Sequence, residues 1–363
     1  MNDLVSVLMC VYDTPVEYLS EAIDSILGQN YSPIEFIIID DNSDNEDVKE
    51  CLARYESSNS SIHLFRNCVN LGLTKSLNIG LTHCQGNYIA RMDSDDVAVK
   101  ERISFQVDYL KNNPEVALVG SDILLLHNNK ELEQDYSTVG DIFDYPELYN
   151  IKSLLQHSGP PHPTFMFNAK FIRNNNIRYR EEIRKAQDYG IMVDILKNNG
   201  VIRKIKKPLL KYRIHEGQIS AKSEIQQKLF QHKVSHDYLR YSFHSLSNTQ
   251  CTALAFLGEY NWYNQIIEAL GTDSSLDEDF RYILNDLDEF KDPRIFQDAI
   301  KTVIDCNRKC NQFNQEILVE VLNHLWWKLA LQRGKGHSGI RNFNFETILS
   351  YRYVLFGKYR NYI

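Results

Sequence analysis

The chain has 363 residues, a formal net charge of -8 and 43% hydrophobic residues. That length accommodates one large α/β domain and a smaller second region, each with its own core. The acidic balance gives no overall basic footprint for nucleic acid, which excludes DNA and RNA as first-choice partners.

The opening, Met1 to Val7, runs straight into an apolar stretch without a basic leader or a small-residue cleavage site, which argues against export. No uninterrupted apolar run of about 18 residues occurs, so no membrane-spanning helix is expected. The seven cysteines are odd in number and scattered. Cys306 and Cys310 alone are close, at i, i+4 spacing with no nearby histidine or second cysteine pair, which favours reduced thiols and a cytoplasmic protein.

In chain order, Val5 to Tyr12 and Ile34 to Ile39 are short apolar runs suited to strands buried on both faces. Between them Leu19, Ala22, Ile23, Ile26 and Leu27 fall at helical spacing, giving a βαβ unit with a right-handed crossover. A helix over 45–57, a strand over 62–66, a helix over 74–84 and a strand over 88–92 continue the pattern of a doubly wound α/β layer structure. A helix over 102–112 and a strand over 116–126 follow. Residues 127–160 are polar and read as a loop with short elements. An apolar segment at 163–167, a helix over 187–198 and a strand pair near 201–212 complete this half. Beyond 221 the periodicity becomes helical, with a boundary expected between 220 and 240. The predicted organisation is a catalytic domain over 1–220, with a nucleotide half over 1–126 and an acceptor half over 127–220, then a mostly helical region over 221–363.

Ligands of open parallel sheets sit at the carboxyl ends of the strands. Three such ends carry acids or turn residues here: Tyr12-Asp13-Thr14-Pro15, Asp40-Asp41-Asn42-Ser43 and Asp93-Ser94-Asp95-Asp96. Each alone is more often a cap for the next helix or turn. In the third, three carboxylates within four residues repel one another unless a cation or a donor network compensates. Magnesium or manganese suits such hard oxygen ligands; a solvated turn is the other reading.

Four blocks in order, Val5 to Tyr12, Ile37 to Ser43, Asn70 to Gly80 and Tyr88 to Asp96, resemble glycosyltransferase family 2 over about residues 4–220. The resemblance implies a GT-A fold, a Rossmann-like nucleotide-binding mixed sheet flanked by helices, and inverting transfer from a UDP-sugar. It assigns Cys10, Val11, Tyr12 and Asp41 to the base, with Tyr12 stacking on uracil and Asp41 accepting from its ring N–H. Asp13, Arg91 and Ser94 join the nucleotide-sugar side, Asn70 and Gly72 shape a loop that turns Lys75 towards the phosphates, and Asp93 contacts the ribose. Asp95 binds a divalent metal, Mn2+ or Mg2+, and Asp96 is a further acid there. Arg102 either pairs with one of these acids or lies on the helix surface.

By the same resemblance Asp188 is the base that takes the acceptor proton; an N-cap role is compatible with it. The family pattern is Glu-Asp, whereas Gln187-Asp188 stands here, which puts in doubt whatever the preceding glutamate does for the acceptor. His215 matches a segment that closes over the diphosphate and supplies an imidazole to the metal. His162 resembles the floor beneath the two sugars, or is a satisfied structural histidine. The overall pattern is similar to bacterial enzymes that add N-acetylglucosamine or galactose to lipooligosaccharide or O-antigen chains, with a glycan or lipid-linked glycan as acceptor. The tail after Trp326 interleaves Arg333, Lys335, Arg341, Arg352, Lys358 and Arg360 with aromatic residues. Such a segment suits peripheral contact with the cytoplasmic membrane face, or packing within the protein. A degenerate member that binds nucleotide without turnover is the competing reading.

Overall fold

In the computed structural model of the chain, the described residues are 2–127, 130–132, 146–214, 224–259, 263–272 and 294–334, with 280, 282, 283, 289 and 292. The chain divides into two compact units, Met1–Ser137 with Gly159–Ala221, and Thr138–Ser158 with Lys222–Ile363.

The first unit is a mixed sheet flanked by helices. Strand β1 (Val5–Val11) lies between two parallel neighbours, β2 (Ile34–Asp40) and β4 (Tyr88–Asp93), and β3 (Ile62–Arg66) extends the sheet beyond β2. Neighbours on both edges and helices on the faces explain why β1 is an almost unbroken apolar run. Helix α1 (Val16–Leu27) buries Leu19, Ala22, Ile23 and Ile26 against this layer. Fully burying a large aliphatic side chain of this kind contributes about 1.5–3 kcal/mol. Helix α2 (Glu46–Ser58) starts where Asn45 accepts a hydrogen bond from the Asp47 N–H at 2.9 Å. Helix α3 (Leu73–His83) starts after Gly72, whose φ of +83° is a conformation that glycine adopts without strain.

Beyond β4 the sheet becomes mixed. A two-residue strand β5 (Val97–Ala98), helix α4 (Arg102–Asn112), strand β6 (Val116–His127) and strand β7 (Lys130–Leu132) come next. Strand β8 (Met166–Asn168) runs antiparallel to both β4 and β6 and joins the two parts of the sheet. Helices α5 (Pro146–Lys152), α6 (Ala169–Asn174) and α7 (Gln187–Lys197) precede strand β9 (Val201–Ile214), which runs parallel to β6. The strand order is β3-β2-β1-β4-β8-β6-β9-β5, with β7 on β6.

The predicted strand pair near 201–212 is one continuous strand. Pro208, which has no N–H to donate, lies opposite Asp122, where the register of β9 against β6 shifts. Helix α5, inside the stretch read as a loop, packs with the second unit rather than the first.

That second unit is helical: α5, α8 (Glu224–Ser242), α9 (Asn248–Gly258), α10 (Tyr263–Thr272), α11 (Arg294–Cys310) and α12 (Gln315–Gly334). A capping box of Ser247 and Gln250 opens α9, and α9 then buries every residue from Cys251 to Leu257. The Leu155 carbonyl approaches Gly258 so closely that an added Cβ would lie 1.6 Å from it, so only glycine fits there. No helix among the described residues is long and apolar enough to cross a membrane.

Candidate active site

Because β1, β2 and β4 are parallel and in register, with Cys10 beside both Ile39 and Asp93, the three acid-bearing strand ends open on one edge. Each turn there is tied to the next. Asp40 accepts from the Ser43 N–H at 2.9 Å, and Ser43 Oγ accepts from the Asp13 N–H at 3.1 Å. Asp13, at φ +47°, accepts in turn from the Asn45 N–H at 2.9 Å, and the Thr14 and Ser94 hydroxyls share a 2.6 Å hydrogen bond. Tyr12 stays 47% exposed at this rim, and its hydroxyl donates to Asp44 at 3.3 Å. The Asp44 charge raises the Tyr12 phenol.

Asp41 is buried and fully engaged. Its Oδ1 accepts from Asn67 Nδ2 at 2.7 Å and from the Leu71 N–H at 2.8 Å, while its Oδ2 accepts from the Gly72 N–H at 2.8 Å. The loop between β3 and α3 hangs on this one carboxylate. Asn70 supports it by accepting from the same Gly72 N–H at 3.2 Å, and Lys75 is exposed on the first turn of α3.

The third end gathers negative charge. One oxygen from each of Asp93, Asp95 and Asp96 lies within 4.8 Å of the others. Asp93 is clamped by the buried guanidinium of Arg91, whose Nη1 donates to it at 2.7 Å. Asp96 is only 1% exposed; its Oδ1 accepts from the Arg213 N–H at 2.9 Å, and its Oδ2 has no protein partner among the described residues. Burial pushes the Asp96 carboxyl well above the usual range, and the neighbouring Asp93 and Asp95 charges push the same way. Asp93 is raised by burial too, against the opposing pull of Arg91. Arg102, read as either a partner of these acids or a surface cation, is fully buried beneath the turn. It donates to the Arg91 carbonyl at 2.6 Å and to Gln106 at 3.1 Å; burial lowers it to about 9, with Asp96 acting in the opposite direction. A buried acceptor without a protein partner among the described residues, within a set of three hard oxygen donors, fits a magnesium- or manganese-sized ion.

Residues 6–207, more than half of the chain, match the family model described as Glycosyl transferase family 2. The chain belongs to glycosyltransferase family 2. It is 31% identical over 215 residues to an uncharacterised glycosyltransferase of Methanocaldococcus jannaschii, an alignment covering 58% of this chain and 71% of that one. The O-antigen biosynthesis glycosyltransferase WbnJ of Escherichia coli is 32% identical over 59% of this chain and 80% of its own. Among solved structures, S. aureus TarS 1–349 in complex with UDP-GlcNAc superposes with a TM-score of 0.58 at 15% identity, covering 92% of this chain and 93% of that one, which shows the GT-A fold.

Gln187 and Asp188 begin α7 after Ala186, which takes a left-handed φ of +64°. Asp188 Oδ1 accepts from the Tyr189 N–H at 2.8 Å, but the N-cap of α7 is Ala186 and no side chain caps it, so Asp188 lies inside the first turn and not at the N-cap. His162, on a short 3-10 turn, shares a 2.8 Å hydrogen bond with the Tyr179 hydroxyl and meets the Phe165 ring edge-on. Tyr179 was not singled out from sequence, since it lies in an asparagine-rich stretch that reads as a loop. Its burial raises its phenol, with the Arg91 charge acting in the opposite direction and the Asp188 and Asp93 charges acting in the same one. Asn78 of α3 fixes it, donating to the Tyr179 carbonyl at 2.8 Å and accepting from its N–H at 2.9 Å. Arg213 was also missed; the one signal was its place two residues before His215. His215 itself lies outside the described residues, as does the tail after Gly334.

Proposed function

We propose that this chain transfers a hexose or N-acetylhexosamine, with N-acetylglucosamine or galactose favoured, from a UDP-sugar to a glycan hydroxyl during surface polysaccharide synthesis, with inversion at the transferred carbon. The observation that carries the reading is the acid turn: three carboxylates at the carboxyl edge of the sheet, one with a buried oxygen that lacks a protein partner among the described residues. The names of two relatives support the class of product, WbnJ and the E. coli enzyme named UDP-Glc:alpha-D-GlcNAc-diphosphoundecaprenol beta-1,3-glucosyltransferase WfaP, the latter 26% identical over 60% of this chain. The UDP-GlcNAc complex of TarS supports a uridine donor.

In this reading Tyr12 covers one face of the base, and the Asp41-held loop forms the wall beside it. Asp95 and Asp96 hold the divalent ion, with His215 as a further ligand. When bound, that ion supplies a Lewis acid that offsets the charge developing on the departing diphosphate. Asp93, kept in place by Arg91, accepts from the ribose, and Lys75 approaches the phosphates from α3. Asp188 accepts the proton of the acceptor hydroxyl as that oxygen attacks the sugar from the face opposite the diphosphate. His162 and Tyr179 floor the space between the two substrates, and their mutual hydrogen bond fixes the imidazole edge. Gln187, where the family has glutamate, faces the acceptor as a neutral group. The free cysteines suit a cytoplasmic enzyme, and the basic aromatic tail suits a lipid-linked acceptor at a membrane surface.

The test is a panel of UDP- and GDP-sugars with manganese, read by thermal shift and by transfer to glycan acceptors. Asp95→Ala is expected to remove metal-dependent UDP binding, whereas Asp188→Ala keeps binding and loses transfer. Equal loss of binding in both variants refutes this division of roles, and UDP binding without turnover by the parent enzyme establishes the degenerate reading instead.

A further inference from the structure

The acid turn is fastened from outside its own stretch of sequence. Arg213, the penultimate residue of β9, is 2% exposed. Its N–H donates to Asp96 Oδ1 at 2.9 Å, and its side-chain Nε donates to the Asp95 carbonyl at 2.7 Å. The guanidinium lies over the Tyr18 ring at 4.1 Å and pairs with Glu21, both residues on α1. Helix α1, the turn after β4 and the end of β9 therefore meet at one side chain. Any residue other than proline would supply the backbone bond. The bond to the Asp95 carbonyl needs a long planar donor with further N–H groups left over for Glu21, which is the geometry of arginine and not of lysine.

The turn needs such a fastening, because three carboxylate oxygens within 4.8 Å of one another repel and drive it open. The same contact selects which Asp96 oxygen is available. The Arg213 backbone N–H occupies Oδ1, and the buried Oδ2 has no protein partner among the described residues.

We propose that Arg213 is a positioning residue for the divalent cation: it holds Asp95 and Asp96 in the one arrangement that can bind the ion, through contacts to the turn and to α1 and none to substrate. This rests on the reading of the acid turn as a cation site. The sign of the effect separates positioning from charge. A guanidinium beside a cation site repels the ion, so its removal by Coulomb's law alone tightens binding, whereas loss of positioning weakens it.

The experiment titrates Mn2+ calorimetrically into the full-length protein in the presence of UDP, with Arg213→Met, Arg213→Lys, Glu21→Gln and Asp95→Ala beside the parent and thermal melts to confirm folding. Arg213→Met is expected to raise the Mn2+ dissociation constant by about 10- to 100-fold, the range in which outer ligand partners act. Arg213→Lys falls between it and the parent. Glu21→Gln, which keeps the arginine but removes its anionic anchor, weakens binding in the same direction and by less, and it carries the test if Arg213→Met does not fold. Unchanged or tighter Mn2+ binding in folded Arg213→Met, or in Glu21→Gln if that variant must stand in, overturns the proposal when the parent binds and Asp95→Ala does not. A parent that binds no Mn2+ overturns the cation reading, and the role of Arg213 with it.

Discussion

Replacing Asp41 by asparagine exchanges one carboxylate oxygen for an amide group at the point from which the loop between β3 and α3 hangs. An amide oxygen in the Oδ1 position keeps the bonds from Asn67 and the Leu71 N–H, and the new NH2 then faces the Gly72 N–H, donor against donor. The opposite rotamer loses two bonds instead of one and is worse. A hydrogen bond to a charged group contributes about 1.5–3 kcal/mol, and the bonds that survive weaken as the charge goes. Asn70 offers the Gly72 N–H a substitute acceptor at 3.2 Å, which returns part of the loss. The net cost is about 2–3 kcal/mol, or about 4–12 °C in melting temperature for a unit of this size. Because the loop must then be ordered by the ligand, UDP affinity also falls, by about tenfold for each 1.4 kcal/mol so spent. Circular dichroism melts and UDP titration of Asp41→Asn measure both quantities. An unchanged melting temperature together with parental UDP affinity refutes the assignment of Asp41 as the anchor of this loop.

Two further outcomes are expected. Gly120→Ala places a Cβ 2.2 Å from Pro160 Cβ and 2.9 Å from Thr164 Oγ1, so the rigid segment carrying His162 must shift. Overpacking of this kind costs about 1–3 kcal/mol, visible as a lower urea midpoint, and a parental midpoint contradicts it. His232 is fully buried and neutral, with its Nε2 3.1 Å from the Thr252 carbonyl and its Nδ1 3.0 Å from the Tyr282 hydroxyl; burial lowers it from 6.5 to about 3. Its stabilising contribution is complete above pH 6.5 and is lost as the pH falls from there towards 3, at about 1.4 kcal/mol per pH unit. His232→Gln is expected to flatten that acid slope in urea unfolding, and an equally steep slope in the variant contradicts the assignment.

The nucleotide half was legible because its information is local. Strands buried on both faces must be short apolar runs, so Val5 to Val11 and Ile34 to Asp40 announce themselves, and the acids that follow can only lie at the carboxyl edge. The four ordered blocks made the GT-A fold legible through resemblance, and the TarS superposition agrees. What escaped depends on partners distant in sequence. Nothing local to Arg213 says that Tyr18 and Glu21 wait for it, and nothing near Tyr179 says that Asn78 holds its backbone. Arg102 shows the same limit, since a cation in an amphipathic helix reads as surface until the carbonyl that receives it is known. Asp41 was read as a base contact, and its three intramolecular donors could not be inferred from Asp-Asp-Asn-Ser alone.

The path of the chain through α5 bears on how such an enzyme can be altered. Leu148, Tyr149, Ile151, Leu154 and Leu155 are all buried, the Ser235 hydroxyl donates to the Leu154 carbonyl at 2.7 Å, and Gly258 has no room for a side chain against Leu155. Yet this stretch is drawn from the middle of the catalytic sequence, with the first unit resuming at Gly159. The helical unit is therefore not an appendage joined at one seam. A chain ended at residue 221 would strand five large apolar side chains in water, and grafting this helical unit onto a relative would require exchange of two sequence segments together. Diversification of the C-terminal unit is thereby tied to a loop of the catalytic unit, and the two must change in concert.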